Sequence, residues 1–245
     1  MKLLSRINGT ALLACLFLPG LHAIPDAAAS DMPARSKRHP AQHRQIRSDA
    51  DGNELSKAYR DLSRGQLNQA EKEYQAVLTK RPHEKDALLG LAVIYQRKLQ
   101  SARAARLYRQ VLNEDMGNAT AAAGLISLSI PADPVAAESQ LKELLDIRPA
   151  SPELQYALGS ALAFQQRLGE AQQAFYIAYS LAPDSALYAY NLAVSLDRLN
   201  QPKAALSYYE KSLRLSNTDK TLFDADAVKR RISKLTGQPL QERVR

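Results

Sequence analysis

Cysteine is nearly absent from the chain. One residue, Cys15, in 245 excludes an intramolecular disulfide framework and any zinc site built from cysteines. The four histidines, His22, His39, His43 and His83, give no metal-ligand spacing on a helix. Glycine and proline number 10 and 12, each below about 5% of the chain, so collagen-like repeats and wholesale low-complexity disorder are excluded. No glycine-rich phosphate loop, HExxH pair or GxSxG elbow occurs, and only His83 falls in the region read below as folded. A nucleophile without a base within reach is inert. The sequence is therefore read as non-enzymatic, with no catalytic residue, no cofactor and no metal.

Long apolar runs are scarce as well. The one clear run is Gly9 to Leu21, GTALLACLFLPGL, behind Lys2 and Arg6. About 13 residues is too short for a transmembrane helix and suits a secretory signal, which places a signal peptide at 1–23, with Leu21-His22-Ala23 or Ala27-Ala28-Ala29 as the cleavage site. Leu12-Leu13-Ala14-Cys15 also resembles the lipobox of bacterial lipoproteins, which makes Cys15 a candidate lipidation site and the N-terminus a candidate membrane tether. The net charge of +8 divides evenly: residues 1–50 and residues 51–245 carry +4 each. No stripe of Lys and Arg with interleaved aromatics is evident, so a nucleic-acid partner is not expected. Residues 24–50, with three prolines and no helical or strand period, read as a disordered basic linker.

Beyond residue 50 the sequence repeats at about 34 residues. From Lys85, Leu88, Leu91, Ala92 and Tyr95 are followed by Ala104, Tyr108 and Val111. The same offsets from Pro152 give Gln155, Leu158, Gly159 and Leu162, then Ala171, Phe175 and Ala178. From Ala186 they give Ala189, Leu192, Ala193 and Leu196, then Ala205, Tyr209 and Ser212. Two segments depart. From Asp51 the second helix is in phase (Ala70, Tyr74, Val77), but of the first helix's apolar residues only Ala58 is. From Ala119 the repeat is one residue short and turns at Pro131-Ala132-Asp133-Pro134.

This pattern resembles the tetratricopeptide repeat, a helix pair whose small residues let backbones approach while aromatics fill the gaps. The resemblance implies an all-α, right-handed α-solenoid of about five helix pairs at 51–84, 85–118, 119–151, 152–185 and 186–219. A capping helix at 220–236 and a tail at 237–245 would complete it. Ala92, Gly159, Ala193, Ala104, Ala171, Ala205, Tyr95, Tyr108, Phe175 and Tyr209 are then core. It also implies a concave groove lined by first helices. On this register the partner-binding candidates are Leu89, Val93, Gln96 and Arg97, then Tyr156, Ser160 and Phe164, then Tyr190, Asn191, Val194 and Arg198. Asn191 stands where the family often places an asparagine that hydrogen-bonds a bound peptide. The alternative is that Tyr156 and Tyr190 merely pack against each other. The carboxylate clamp of chaperone-binding members is missing, since its positions hold Asp86, Thr120, Glu153, Leu187 and Thr221. Arg103, Arg106 and Arg109 are expected on the convex side.

The stretch YAYNLAVSLDRLNQPKAALSYYEKSLRLS with FDADAVKRRISKL resembles the end of tetratricopeptide proteins that accompany type IV pilus biogenesis and type II secretion in Gram-negative bacteria. That resemblance implies an exported scaffold, in the periplasm, holding a protein or peptide segment of an envelope assembly. Two alternatives stay open: an outer-membrane lipoprotein pilotin, and a module that binds peptidoglycan or exopolysaccharide. The oligomeric state is open too.

Overall fold

A computed structural model describes residues 54–216 and 223–237, and every regular element among them is a helix. In chain order these are α1 (54–63), α2 (Leu67–Lys80), α3 (Lys85–Arg97), α4 (Ser101–Glu114), α5 (Ala119–Ser127), α6 (Pro134–Ile147), α7 (Pro152–Phe164), α8 (Leu168–Leu181), α9 (Ala186–Arg198), α10 (Pro202–Leu215) and α11 (Ala225–Thr236). They form five antiparallel pairs and a cap, an α-solenoid in which each pair packs on the next.

The two helices of a pair bury themselves differently. In α4 only Ala104, Tyr108 and Val111 are buried, a stripe at i, i+4, i+7 whose opposite side carries Arg103, Arg106 and Arg109, all exposed as the spacing predicts. In α3 every residue from Ala87 to Gln96 is buried, because α3 packs against α2, α4 and α5 at once. All ten core positions named from the sequence are buried. Close approach is most evident where a first helix meets an aromatic ring. A Cβ added at Gly90 would lie 2.3 Å from Tyr74, one at Gly124 2.4 Å from Tyr108, and one at Gly159 2.7 Å from Phe175.

The turns are as regular as the helices. Gly65, Leu99, Gln166 and Asn200 hold the same place in four repeats, and all have positive φ, at 70°, 57°, 63° and 57°. The N–H groups of the residues that follow, Gln66, Gln100, Arg167 and Gln201, donate back to the carbonyls of Asp61, Tyr95, Leu162 and Leu196, which closes each first helix in a left-handed cap. Leu99 is 76% exposed, so its side chain contributes little while its backbone is strained. Leu99→Gly is expected to raise stability by about 0.5 to 1 kcal/mol, read as a higher urea midpoint at unchanged slope. A lower midpoint would mean that the leucine makes a contact of its own.

The third pair breaks the pattern. Its first helix, α5, stops at Ser127 after 9 residues, against 13 in α3, α7 and α9. Pro131 cannot donate to a helix and disfavours helical backbone before it. Residues 128–132 turn instead, Ile130 is fully buried, and Asp133 caps α6 through the Ala136 N–H at 2.9 Å. α5 packs more closely on α7 of the next pair than on its own partner α6.

The cap is shorter than the spacing predicts. Its helix starts at Ala225, not at 220, because Phe223 and Asp224 are non-helical and the Asp224 carboxylate accepts from the Ala227 N–H at 2.9 Å. Val228 and Ile232 are buried, and Lys229, Arg230, Arg231 and Lys234 are exposed. Arg231 ties the cap to α9 with two hydrogen bonds of 2.6 Å to Asp197. Among the described residues no helix is long and apolar enough to cross a membrane. The signal peptide, the linker, Cys15, residues 217–222 and the tail beyond Gly237 lie outside the described residues.

Candidate functional site

The eleven groove candidates all stand on α3, α7 and α9, and those helices divide them by burial. Leu89, Val93, Gln96, Tyr156, Ser160 and Asn191 are buried, and Arg97, Phe164, Tyr190, Val194 and Arg198 are less so. The six buried residues are therefore not an open contact surface, which corrects the simplest form of the expectation. A first helix packed on its own partner and on the second helix before it keeps little free face, whereas the repeat register alone does not distinguish floor from rim.

The buried polar groups are largely satisfied within the fold. Gln96 accepts from the Tyr108 hydroxyl at 2.9 Å, and the Ser160 hydroxyl donates to the Tyr156 carbonyl at 3.0 Å. The Asn191 amide donates to the Leu187 carbonyl at 2.9 Å and lies 3.4 Å from the Tyr156 hydroxyl. The Tyr156 ring packs on Phe175 at 5.7 Å and on Tyr188 at 5.2 Å. Tyr190 stacks flat on Phe223, 4.5 Å apart and 6° from parallel, with Tyr209 at 6.3 Å. The segment leading into the cap thus covers one face of a residue expected to anchor a partner. Accessible side chains remain at Arg97, Phe164, Val194 and Arg198, and Arg198 reaches Gln166 at 2.7 Å.

A polar cluster that the sequence reading missed joins the third and fourth pairs. Glu138 of α6 is only 6% exposed, and it accepts from Lys142 at 2.6 Å, from Gln165 at 2.8 Å and from Arg167 at 2.5 Å. Gln165 and Arg167 come from the turn between α7 and α8, 27 and 29 residues away, so no local pattern announces the contact. Burial pushes the Glu138 carboxyl up, but the three donors outweigh it and hold it at about 2, below the usual 4.5. A carboxyl lowered on folding stabilises the fold above its unfolded value and loses that contribution as the pH falls toward its folded value. Glu138→Gln is therefore expected to be less stable than the wild type at neutral pH. The difference in urea midpoint should shrink as the pH falls from 4.5 toward about 2. A difference independent of pH would dissociate the cluster from acid stability. Among the described residues no group of three His, Cys, Asp or Glu side chains converges as a metal site.

Comparison with known proteins agrees with this geometry. Models of the tetratricopeptide repeat match residues 61–128 and residues 156–220, together more than half of the chain. No curated protein matches by sequence. TTC0263, a thermophilic tetratricopeptide protein of Thermus thermophilus, is 16% identical, with a TM-score of 0.61 over 77% of this chain and 100% of that one. PilW, described as a widely conserved type IV pilus biogenesis factor, is 18% identical, with a TM-score of 0.50 over 77% of this chain and 86% of that one. PilF of Pseudomonas aeruginosa is 20% identical at a TM-score of 0.47, over 78% of this chain and 86% of that one. With the 34-residue period, the paired helices and the small-against-aromatic contacts, the two repeat-model matches show that the chain belongs to the tetratricopeptide repeat family.

Proposed function

We propose that the protein is a non-enzymatic, exported scaffold that holds an extended segment of a protein partner along its row of first helices, in the assembly of a type IV pilus or a related secretion machine. The observation that carries the reading is the placement of Arg97, Phe164, Val194 and Arg198, accessible on α3, α7 and α9 of an interaction fold. Arginine and aromatic side chains beside an apolar floor are the usual anchors of interface energy. The C-terminal sequence resemblance supports the pilus assignment, and the apolar run at 9–21 behind Lys2 and Arg6 supports export.

Photo-crosslinking residues at Arg198 and Val194 of the full chain, expressed in a piliated Gram-negative host, are expected to capture a pilus or secretion subunit. Arg198→Glu with Arg97→Glu should abolish that capture while helicity and melting are retained. Capture of no envelope protein from either position, or capture unchanged in the double variant, would overturn the reading. Lipid on Cys15 in the intact mass of the processed protein would select the pilotin alternative, and sedimentation with purified sacculi the polymer-binding one.

A further inference from the structure

The second helices form the outer row of the solenoid, and α8 departs from the others at two positions. Four residues after the core ring or leucine, α2, α4, α6 and α10 carry Leu78, Leu112, Leu145 and Leu213, whereas α8 carries Tyr179. One residue after it they carry Gln75, Arg109, Lys142 and Glu210, whereas α8 carries Tyr176, 50% exposed. Tyr179 is 6% exposed, and its hydroxyl is buried with no hydrogen-bond partner among the described residues. Burying an unpaired hydroxyl costs stability, and leucine does the packing at the same place in four sister repeats. The fold alone thus gives no reason for the hydroxyl. Three further polar ends gather around it. Lys211 of α10 sets its Nζ 4.9 Å from the centre of the Tyr179 ring and has no ion-pair or hydrogen-bond partner among the described residues. Tyr208, one turn before Lys211, stands edge-on to Tyr179 at 5.4 Å. Burial pushes the Tyr208 hydroxyl above its ordinary value, Tyr176 and Tyr179 add to the rise and Lys211 opposes it. All three therefore lie within electrostatic reach of Tyr208, whose phenol stays a donor at neutral pH.

We infer that the cleft between α8 and α10, at Tyr176, Tyr179, Tyr208 and Lys211, binds the carboxylate of an acidic residue in a segment of a partner protein. An ammonium and protonated phenols offer donors and one positive charge, which calls for an acceptor with one negative charge. A carboxylate supplies that. A phosphate, at about −1.5 to −2, would stay partly uncompensated. A charge-assisted bond to Lys211 draws its flexible stem off the ring face, and the second carboxylate oxygen then accepts from a phenol that the fold leaves unpaired. A wholly apolar occupant leaves both groups as they are, so charge and not apolar fit selects the partner. Beyond Tyr176 the exposed face of α8 continues with Ile177 and Leu181, 40% exposed each, which suit the apolar neighbours of that acidic residue in a peptide rather than the hydroxyls of a sugar. The cleft lies on the outer row, so it requires neither the groove nor the pilus assignment.

The chain contains no tryptophan, so its tyrosine emission reports the cleft directly. Titration of the full chain with a short acetylated and amidated peptide alternating leucine and glutamate is expected to change that emission. Its affinity should exceed that of the same peptide with glutamine for glutamate by about tenfold. Tyr179→Phe deletes only the orphaned hydroxyl and should weaken glutamate binding by about fivefold, while the melting temperature holds or rises. A tyrosine with a packing role alone would leave binding unchanged. Lys211→Gln should weaken binding by about tenfold and flatten its salt dependence. Equal affinity for the two peptides, or glutamate binding that survives both variants, overturns the inference. So does binding that is lost in Arg97→Glu with Arg198→Glu instead, since that site is the groove. A Lys211-dependent response to oligogalacturonate or to inorganic phosphate, with none to the glutamate peptide, overturns it as well.

Discussion

Phe175→Ala is expected to lower the unfolding free energy by about 3 to 5 kcal/mol, toward the upper end of what large-to-small core changes produce. The cost of such a change depends on whether the site can collapse, and here collapse is blocked on one side. Phe175 is 3% exposed and lies against the Tyr156 ring at 5.7 Å and against the backbone of Gly159. Glycine has no side chain to move into the space, and Tyr156 is itself held by Tyr188 at 5.2 Å. The cavity therefore stays largely open. Denaturant melts are the measurement, and a loss below about 0.5 kcal/mol, the level of an ordinary surface substitution, would contradict the packing.

Gly124→Ala is expected to destabilise by about 1 to 3 kcal/mol, the range for overpacking a filled core. Helix propensity alone gives the opposite sign, a gain of about 1 kcal/mol. Sterics win because the new Cβ would sit 2.4 Å from Cζ of Tyr108, a ring with no exposed surface whose hydroxyl is bonded to Gln96. Gly90→Ala meets Tyr74 at 2.3 Å, but the Tyr74 hydroxyl has no hydrogen-bond partner among the described residues, so that ring yields more easily and the loss should be smaller. Gly169→Ala is the control: nothing lies within 4 Å of its added Cβ, and propensity should decide, giving a gain. A gain at position 124 as well would show that the Tyr108 ring moves aside at little cost.

The period of about 34 residues was enough to place the helix pairs and their core, because each repeat solves the same packing problem with the same residue types. Ala104, Ala171 and Ala205 mark one close approach, and Tyr108, Phe175 and Tyr209 the gap beside it. The candidate site was legible only in part. The register puts Tyr156 and Asn191 on first helices but says nothing of how deeply neighbours cover them. Their burial depends on side chains far along the chain: Phe175 against the Tyr156 ring, and the pairing of the Tyr156 hydroxyl with Asn191, 35 residues apart. Tyr190 is covered by Phe223, which precedes the cap rather than belonging to a repeat. Glu138 is legible least of all: on its own helix it is an ordinary acidic residue, and its meaning comes from Arg167 and Gln165 in the next repeat.

In a linear array each unit is held chiefly by its neighbours, so cooperativity is carried by a series of interfaces and fails first at the weakest. The truncated α5, which leans on α7 more than on α6, ties the third pair to the fourth more firmly than its own two helices are tied to each other. The thermodynamic unit of the C-terminal half then begins at residue 119, with the Glu138 cluster as its brace. The first two helix pairs are then expected to unfold and refold as a separate block, and a pulling force along the chain would extend that block before it reached the aromatic-rich half.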